Sequence, residues 1–201
     1  MGKKKVPWIV KVTKKIKKAP PADISPFLSA IQSKYGQLES QVSGSLEELK
    51  SNIESAQATR LANLQNALIN AVGSLQYNPY AEKIRTAFSQ IWQEKAPPLQ
   101  QTLTQLKEQQ PSIISQFVAA NPDVSKALRM AGVYEWAQTR PHKGKSARQV
   151  LKYYKQAYQS AEDFLSQTKS FLSDLGFTSP EIEQAMKPYY DLFEWGVHIK
   201  G

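Results

Sequence analysis

The chain has 201 residues, 41% of them hydrophobic, with 26 Lys and Arg against 17 Asp and Glu and no Cys. That is enough apolar matter for a packed core rather than a disordered polyelectrolyte. The lack of Cys excludes a disulfide framework, a thiolate nucleophile and any Cys-ligated zinc or iron–sulfur site.

The net charge of +9 is unevenly placed: Met1 to Lys18 holds eight lysines and no acid, which leaves 18 basic against 17 acidic side chains in residues 19–201. In this arm Lys3, Lys4, Lys5, Lys11, Lys14, Lys15, Lys17 and Lys18 mingle with Val6, Trp8, Ile9, Val10, Val12 and Ile16. On a helix opened by Pro7, the residues Trp8, Ile9, Val12 and Ile16 share one face and the lysines flank it. A short strand with Trp8, Val10 and Val12 on one side fits as well, because periodicity cannot decide over so few residues. The run Val6–Val10 is too short for a signal-peptide core, and an arm without Arg or Ser differs from a cleaved transit segment. Val6 stands where a myristoylation signal needs Ser or Thr. A lysine run also fits a nuclear address. The eight lysines and Trp8 form the candidate contact with an anionic surface, lipid being the first expectation, with Trp8, Val12 and Ile16 inserted at the interface and the lysines over phosphates.

Ala19-Pro20-Pro21 separates the arm from the body, so the chain reads as an arm over 1–21 and one helical domain over 22–201. Four pairs, Ser25-Pro26, Asn78-Pro79, Asn121-Pro122 and Ser179-Pro180, have the form of helix starts. Ser or Asn accepts an orphan backbone N–H as N-cap, and Pro suits the first helical position because its missing N–H had no partner there. The fold class is therefore all-α.

Phe27, Ile31, Tyr35, Leu38 and Val42 open a stripe that continues through Leu46, Leu49, Ile53, Ala56, Leu61, Leu64, Leu68, Val72 and Leu75. It predicts a long helix over about 26–76, roughly 75 Å if Gly44 does not break it. The step from Ala56 to Leu61 breaks a strict heptad, so packing against neighbours is expected rather than a two-stranded coil. From Pro79, a helix bearing Tyr80, Ile84, Phe88, Ile91 and Trp92 is expected to stop at Pro97-Pro98. Shorter pieces divided by Pro111 and Pro122 should continue as a zigzag to about Gln138. Ser146, with Gln149 as its capping-box partner, opens a second long helix over about 146–175 that ends at Gly176. A last helix from Pro180 is expected to bend or break near Pro188. Together these make an extended helical bundle with a basic N-terminal arm.

Ala19-Pro20-Pro21-Ala22-Asp23-Ile24, leading into Ile31-Gln32, resembles the opening of subunit g of mitochondrial ATP synthase over about a dozen residues. The chain has no counterpart of that family's C-terminal membrane helix, and the resemblance assigns no residue a role.

Chemistry-bearing constellations are few. Thr139 to Ser146 ends like a phosphate loop but has Thr139 where the first glycine must let the backbone curl. Arg140, His142, Lys143, Lys145 and Arg148, extended along the helix by Lys152 and Lys155, form a possible second anion patch at a helix N-terminus. His142 and His198 have no third ligand at helical spacing, so no metal site is expected. The acids fall on polar faces, and no nucleophile–base pair is visible, so no catalytic residues, cofactor or small-molecule substrate are expected. The aromatics Tyr153, Tyr154, Tyr158, Tyr189, Tyr190, Phe193 and Trp195 have the spacing of buried helix faces. The sequence points to a non-enzymatic accessory subunit of a large membrane-bound assembly, of mitochondrial respiratory or ATP synthase type, peripheral to the inner membrane and bound to other protein subunits. A structural RNA-binding protein such as an organellar ribosomal component is the alternative, and a lipid-particle or granule coat is a third. Cytoplasmic and nuclear locations fit the sequence too.

Overall fold

A computed structural model describes residues 8–68, 78–139 and 145–199, with side chains from 148 onward in the last segment. The fold is all-α. Among the described residues five helices succeed one another: α1 (Trp8–Lys18), α2 (Ser25–Leu68), α3 (Pro79–Gln138), α4 (Lys145–Asp174) and α5 (Ser179–His198). No strand occurs among the described residues, and none of their helices is long and apolar enough to cross a membrane.

The arm is a helix rather than a strand from Trp8 onward. The α2 helix passes Gly44 unbroken, and residues 69–76 of the expected 26–76 span lie outside the described residues. The α4 helix matches the expected 146–175 closely. It ends in a Schellman turn in which Gly176 adopts φ +80° while Gly176 N donates to Ser173 O and Phe177 N donates to Leu172 O. A left-handed residue at this position favours glycine, which has no Cβ to clash.

The expected zigzag is corrected: Pro79 to Gln138 is one continuous helix of 60 residues. Pro97, Pro98, Pro111 and Pro122 all face solvent. There the carbonyl that each ring orphans can be hydrated. An interior proline costs a helix about 3 kcal/mol, and apolar positions buried on both sides, from Ala81 and Phe88 to Ala131 and Val133, offset that cost. The α5 helix likewise runs through Pro188 without a break.

Capping is also partly reassigned. Asn78 caps α3 as expected, its Oδ1 accepting from Tyr80 N at 2.9 Å. The α5 cap is Thr178, whose N and Oγ1 both donate to the Glu181 carboxylate. Asn121 caps nothing: its Nδ2 donates to Ala22 O at 2.9 Å, and its Oδ1 accepts from Ser125 Oγ, which in turn accepts from Ala22 N. The two side chains thus satisfy both backbone groups of Ala22 and clamp the segment between α1 and α2.

The chain divides into two compact units, Met1–Lys34 with Ser112–Gly201 and Tyr35–Pro111. In the first, Phe27 stands edge-on to Phe117 at 4.8 Å and to Tyr189 at 5.1 Å, and Phe164 stands edge-on to Tyr189. Ile31, Leu128, Leu172 and Met186 complete this core with no solvent exposure. The α3 and α5 helices cross at two glycines: a Cβ on Gly132 would stand 2.0 Å from Phe193 O, and one on Gly196 would stand 2.2 Å from Arg129 O.

In the second unit, α2 and α3 segments run antiparallel, with Leu49 and Asn52 facing Lys95 and Leu99 across a shallow cleft and Arg60 lying 5.8 Å from the Phe88 ring. Two helices can only half-bury their apolar stripes. Leu46, Leu49, Ile53, Leu61, Leu103 and Leu106 accordingly stay half-buried, while Phe88 and Ala96 are buried.

Candidate functional site

The candidate contact is α1, and its sequence sets its two faces. Ile9, Val12 and Ile16, at steps of three and four, are 0%, 0% and 3% exposed. They lock into a cluster with Val133 of α3, Tyr154 of α4 and Ile199 after α5. Trp8 and Val10 pack partly against this cluster, and Trp8 meets Trp136 edge-on with ring centres 5.0 Å apart. Lys11, Lys14, Lys15, Lys17 and Lys18 are exposed. At about 100° per residue these five fill the side of the helix opposite the buried stripe. Burying three branched residues and most of a Trp ties the helix down, each fully buried side chain contributing about 1.5–3 kcal/mol. Lys3, Lys4 and Lys5 lie outside the described residues.

One polar contact fixes the register. Thr13 Oγ1 donates to Ile9 O at 2.7 Å and lies 2.6 Å from Tyr154 OH. A hydroxyl has one hydrogen, so the Tyr154 phenol is the donor between them. Burial pushes the Tyr154 hydroxyl above its ordinary range. Burial raises Tyr189 and Tyr35 in the same sense. These tyrosines are neutral when protonated, so their stability contribution is complete below the unfolded value of about 10. It is lost as pH rises from there through the folded values, because the unfolded chain releases the protons first. The urea midpoint should therefore be flat between pH 8 and about 10 and fall above it, and Tyr154→Phe should make that fall shallower.

The second patch is only partly placed. Arg140 and Lys143 lie outside the described residues, as do His142, the Lys145 side chain and the capping box expected at Ser146. Arg148, Lys152 and Lys155 are exposed, on the α4 turns whose Val150, Leu151 and Tyr154 hold α1. Two basic sets more than a hundred residues apart in sequence are thus brought to neighbouring turns of one packed region. The first unit carries 20 basic against 10 acidic side chains and the second 6 against 7. The cationic character belongs to the unit that holds α1.

Of the aromatics, Tyr154 and Tyr189 are buried, whereas Tyr153 is 66% and Trp195 37% exposed. Among the described residues, no three His, Cys, Asp or Glu side chains gather as metal ligands would. Comparison with known proteins returns no match: no family model, curated protein or solved structure is significantly similar to this chain.

Sequence reasoning missed Arg129, which is 8% exposed, has an Nε atom without a hydrogen-bond partner and lies 5.2 Å from the Trp195 ring. Its position inside an amphipathic stripe, between Leu128 and Met130, was the available signal: a cation where a core residue is due.

Proposed function

We propose that the chain is a non-enzymatic subunit of a membrane-associated assembly that docks on anionic lipid through the lysine face of α1. The observation that carries this reading is the division of α1 into a face buried in the protein and a face of five exposed lysines. Val12 and Ile16, which a lipid-inserted arm would offer to the bilayer, are occupied by the protein's own core. The contact is then an electrostatic one at headgroup level, made by a helix already ordered before binding.

Each lysine near an anionic leaflet contributes about 1 kcal/mol, so five contribute about 5 kcal/mol at low salt. Pre-ordering helps because the backbone entropy of the helix is not lost again on binding. The half-buried leucines of the second unit support the assembly part of the reading, since they leave helical apolar surface for protein neighbours.

Vesicle flotation tests it. Binding to phosphatidylcholine vesicles should appear only when phosphatidylglycerol is added, and should fall steeply as salt rises. Equal binding to neutral vesicles rejects the reading. Release of the protein from anionic vesicles by RNA at equal phosphate concentration would move the contact to nucleic acid, where counterion release gives the same salt trend.

A further inference from the structure

We infer that Arg129, lying over the Trp195 ring, is a docking point for a terminal phosphate group, an inference that rests on the lipid reading of α1. A guanidinium has five N–H donors and remains charged at any physiological pH. Burial lowers the Arg129 pKa only from a value far above that range. Yet this side chain, 92% buried by its 8% exposure, makes no hydrogen bond or ion pair with any described residue, and its Nε is sealed off without a partner.

An isolated buried charge is costly, and the usual remedy is an anionic partner. The chain supplies a ring instead. Trp195 lies 5.2 Å from the guanidinium carbon and is itself 37% exposed, so the pair reaches the surface. A ring face satisfies none of the guanidinium's directed N–H bonds, so the terminal Nη groups stay available to an incoming oxyanion.

Position suggests which anion. Arg129 stands one helical turn before Gly132, which meets α5, and Val133, which meets α1, and Trp195 stands one turn before Ile199 of the α1 cluster. The site therefore lies one turn from the residues that hold the lysine helix in place. A half-exposed Trp beside a cation suits the headgroup layer of a membrane, where one part of the ring meets apolar and the other polar surroundings. Because so little of Arg129 is exposed, a phosphate shielded by a bulky headgroup cannot reach it. A phosphate monoester, as in phosphatidic acid, can enter and bind the fork in bidentate fashion.

The test uses the full chain with Arg129→Met, which keeps the packing volume and removes the charge. Free of ligand, this variant should melt about 2–4 °C higher than wild type, because an unpaired buried charge is gone. Wild type should prefer vesicles containing phosphatidic acid over phosphatidylglycerol vesicles of matched surface charge. Arg129→Met should weaken phosphatidic acid binding about tenfold and leave phosphatidylglycerol binding, which the lysines provide, unchanged. A lower melting temperature in the variant, or an undiminished preference for phosphatidic acid, overturns the inference while the lysine reading stands. No binding of wild type to either anionic vesicle instead defeats the lysine reading. In that case a melting shift on adding inorganic phosphate, present in wild type and absent in Arg129→Met, assigns the site to free phosphate. An Arg129-dependent shift with acetate and none with phosphate would replace the phosphate by a protein carboxylate.

Discussion

Gly132→Ala and Gly196→Ala should each destabilise the first unit by about 3 kcal/mol, at the upper end of overpacking costs, and lower the melting temperature by about 10 °C in a chain of this length. The reason is what the new methyl groups would meet. The Gly132 Cβ would stand 2.0 Å from Phe193 O and 2.9 Å from both Gly196 Cα and Val197 N. The Gly196 Cβ would stand 2.2 Å from Arg129 O and 2.9 Å from Val133 N. These are backbone atoms on opposing helices, so no rotamer change relieves the clash and α3 and α5 must move apart. Since both methyl groups force the same separation, the double variant should cost much less than the sum of the two. Gly44 is the internal control: nothing lies within 4 Å of the Cβ it would gain. Gly44→Ala should therefore stabilise α2 by about 0.5–1 kcal/mol through helix propensity alone. Thermal melts of the four variants read all of this.

The second large effect separates binding from folding within α1. Changing Lys11, Lys14, Lys17 and Lys18 together to Gln should weaken binding to phosphatidylglycerol vesicles by about 4 kcal/mol, or roughly a thousandfold, at about 1 kcal/mol per lysine. These side chains are exposed, and Gln has nearly the helix propensity of Lys, so the melting temperature should hardly change. Ile16→Ala should do the reverse. It empties a position that is 3% exposed, costs about 2–4 kcal/mol and loosens α1 from Val133, Tyr154 and Ile199, while every lysine remains. Melting and flotation on the same preparations separate the two roles; a quadruple Gln variant that unfolds, or binds as wild type does, contradicts the assignment of the lysine face.

Local signals in the sequence were legible where local physics decides the outcome. Asn78-Pro79 and Gly176 mark a helix start and a helix stop because a cap bond and a left-handed residue are made within a few residues of themselves. The all-α class rests on the same signals, repeated along the chain. Asn121-Pro122 misled because its outcome depends on a partner 99 residues away: Ala22 takes the side chain that would have capped a new helix. Pro97 and Pro111 misled for a related reason. Their cost is local, but the burial that overrides it is spread along α3 and cannot be weighed until its neighbours are known.

In α1 the spacing of Ile9, Val12 and Ile16 did announce an apolar face. It could not say whether that face meets lipid or protein, because Val133, Tyr154 and Ile199 come from three distant segments. The glycine crossing and Arg129 were invisible for the same reason, since both are defined by what stands opposite.

The central claim is that α1 is bound to the protein by its apolar face before it meets any surface. Amide hydrogen exchange through Val12, Thr13 and Ile16, with and without phosphatidylglycerol vesicles, tests it most directly. Slow exchange in the free protein, little changed when vesicles bind, is the result expected of a docked helix contacting headgroups through its lysines. Exchange at the rate of an unfolded chain in the free protein, becoming slow only on vesicles, would show instead that the arm folds at the lipid and inserts Ile9, Val12 and Ile16 into it.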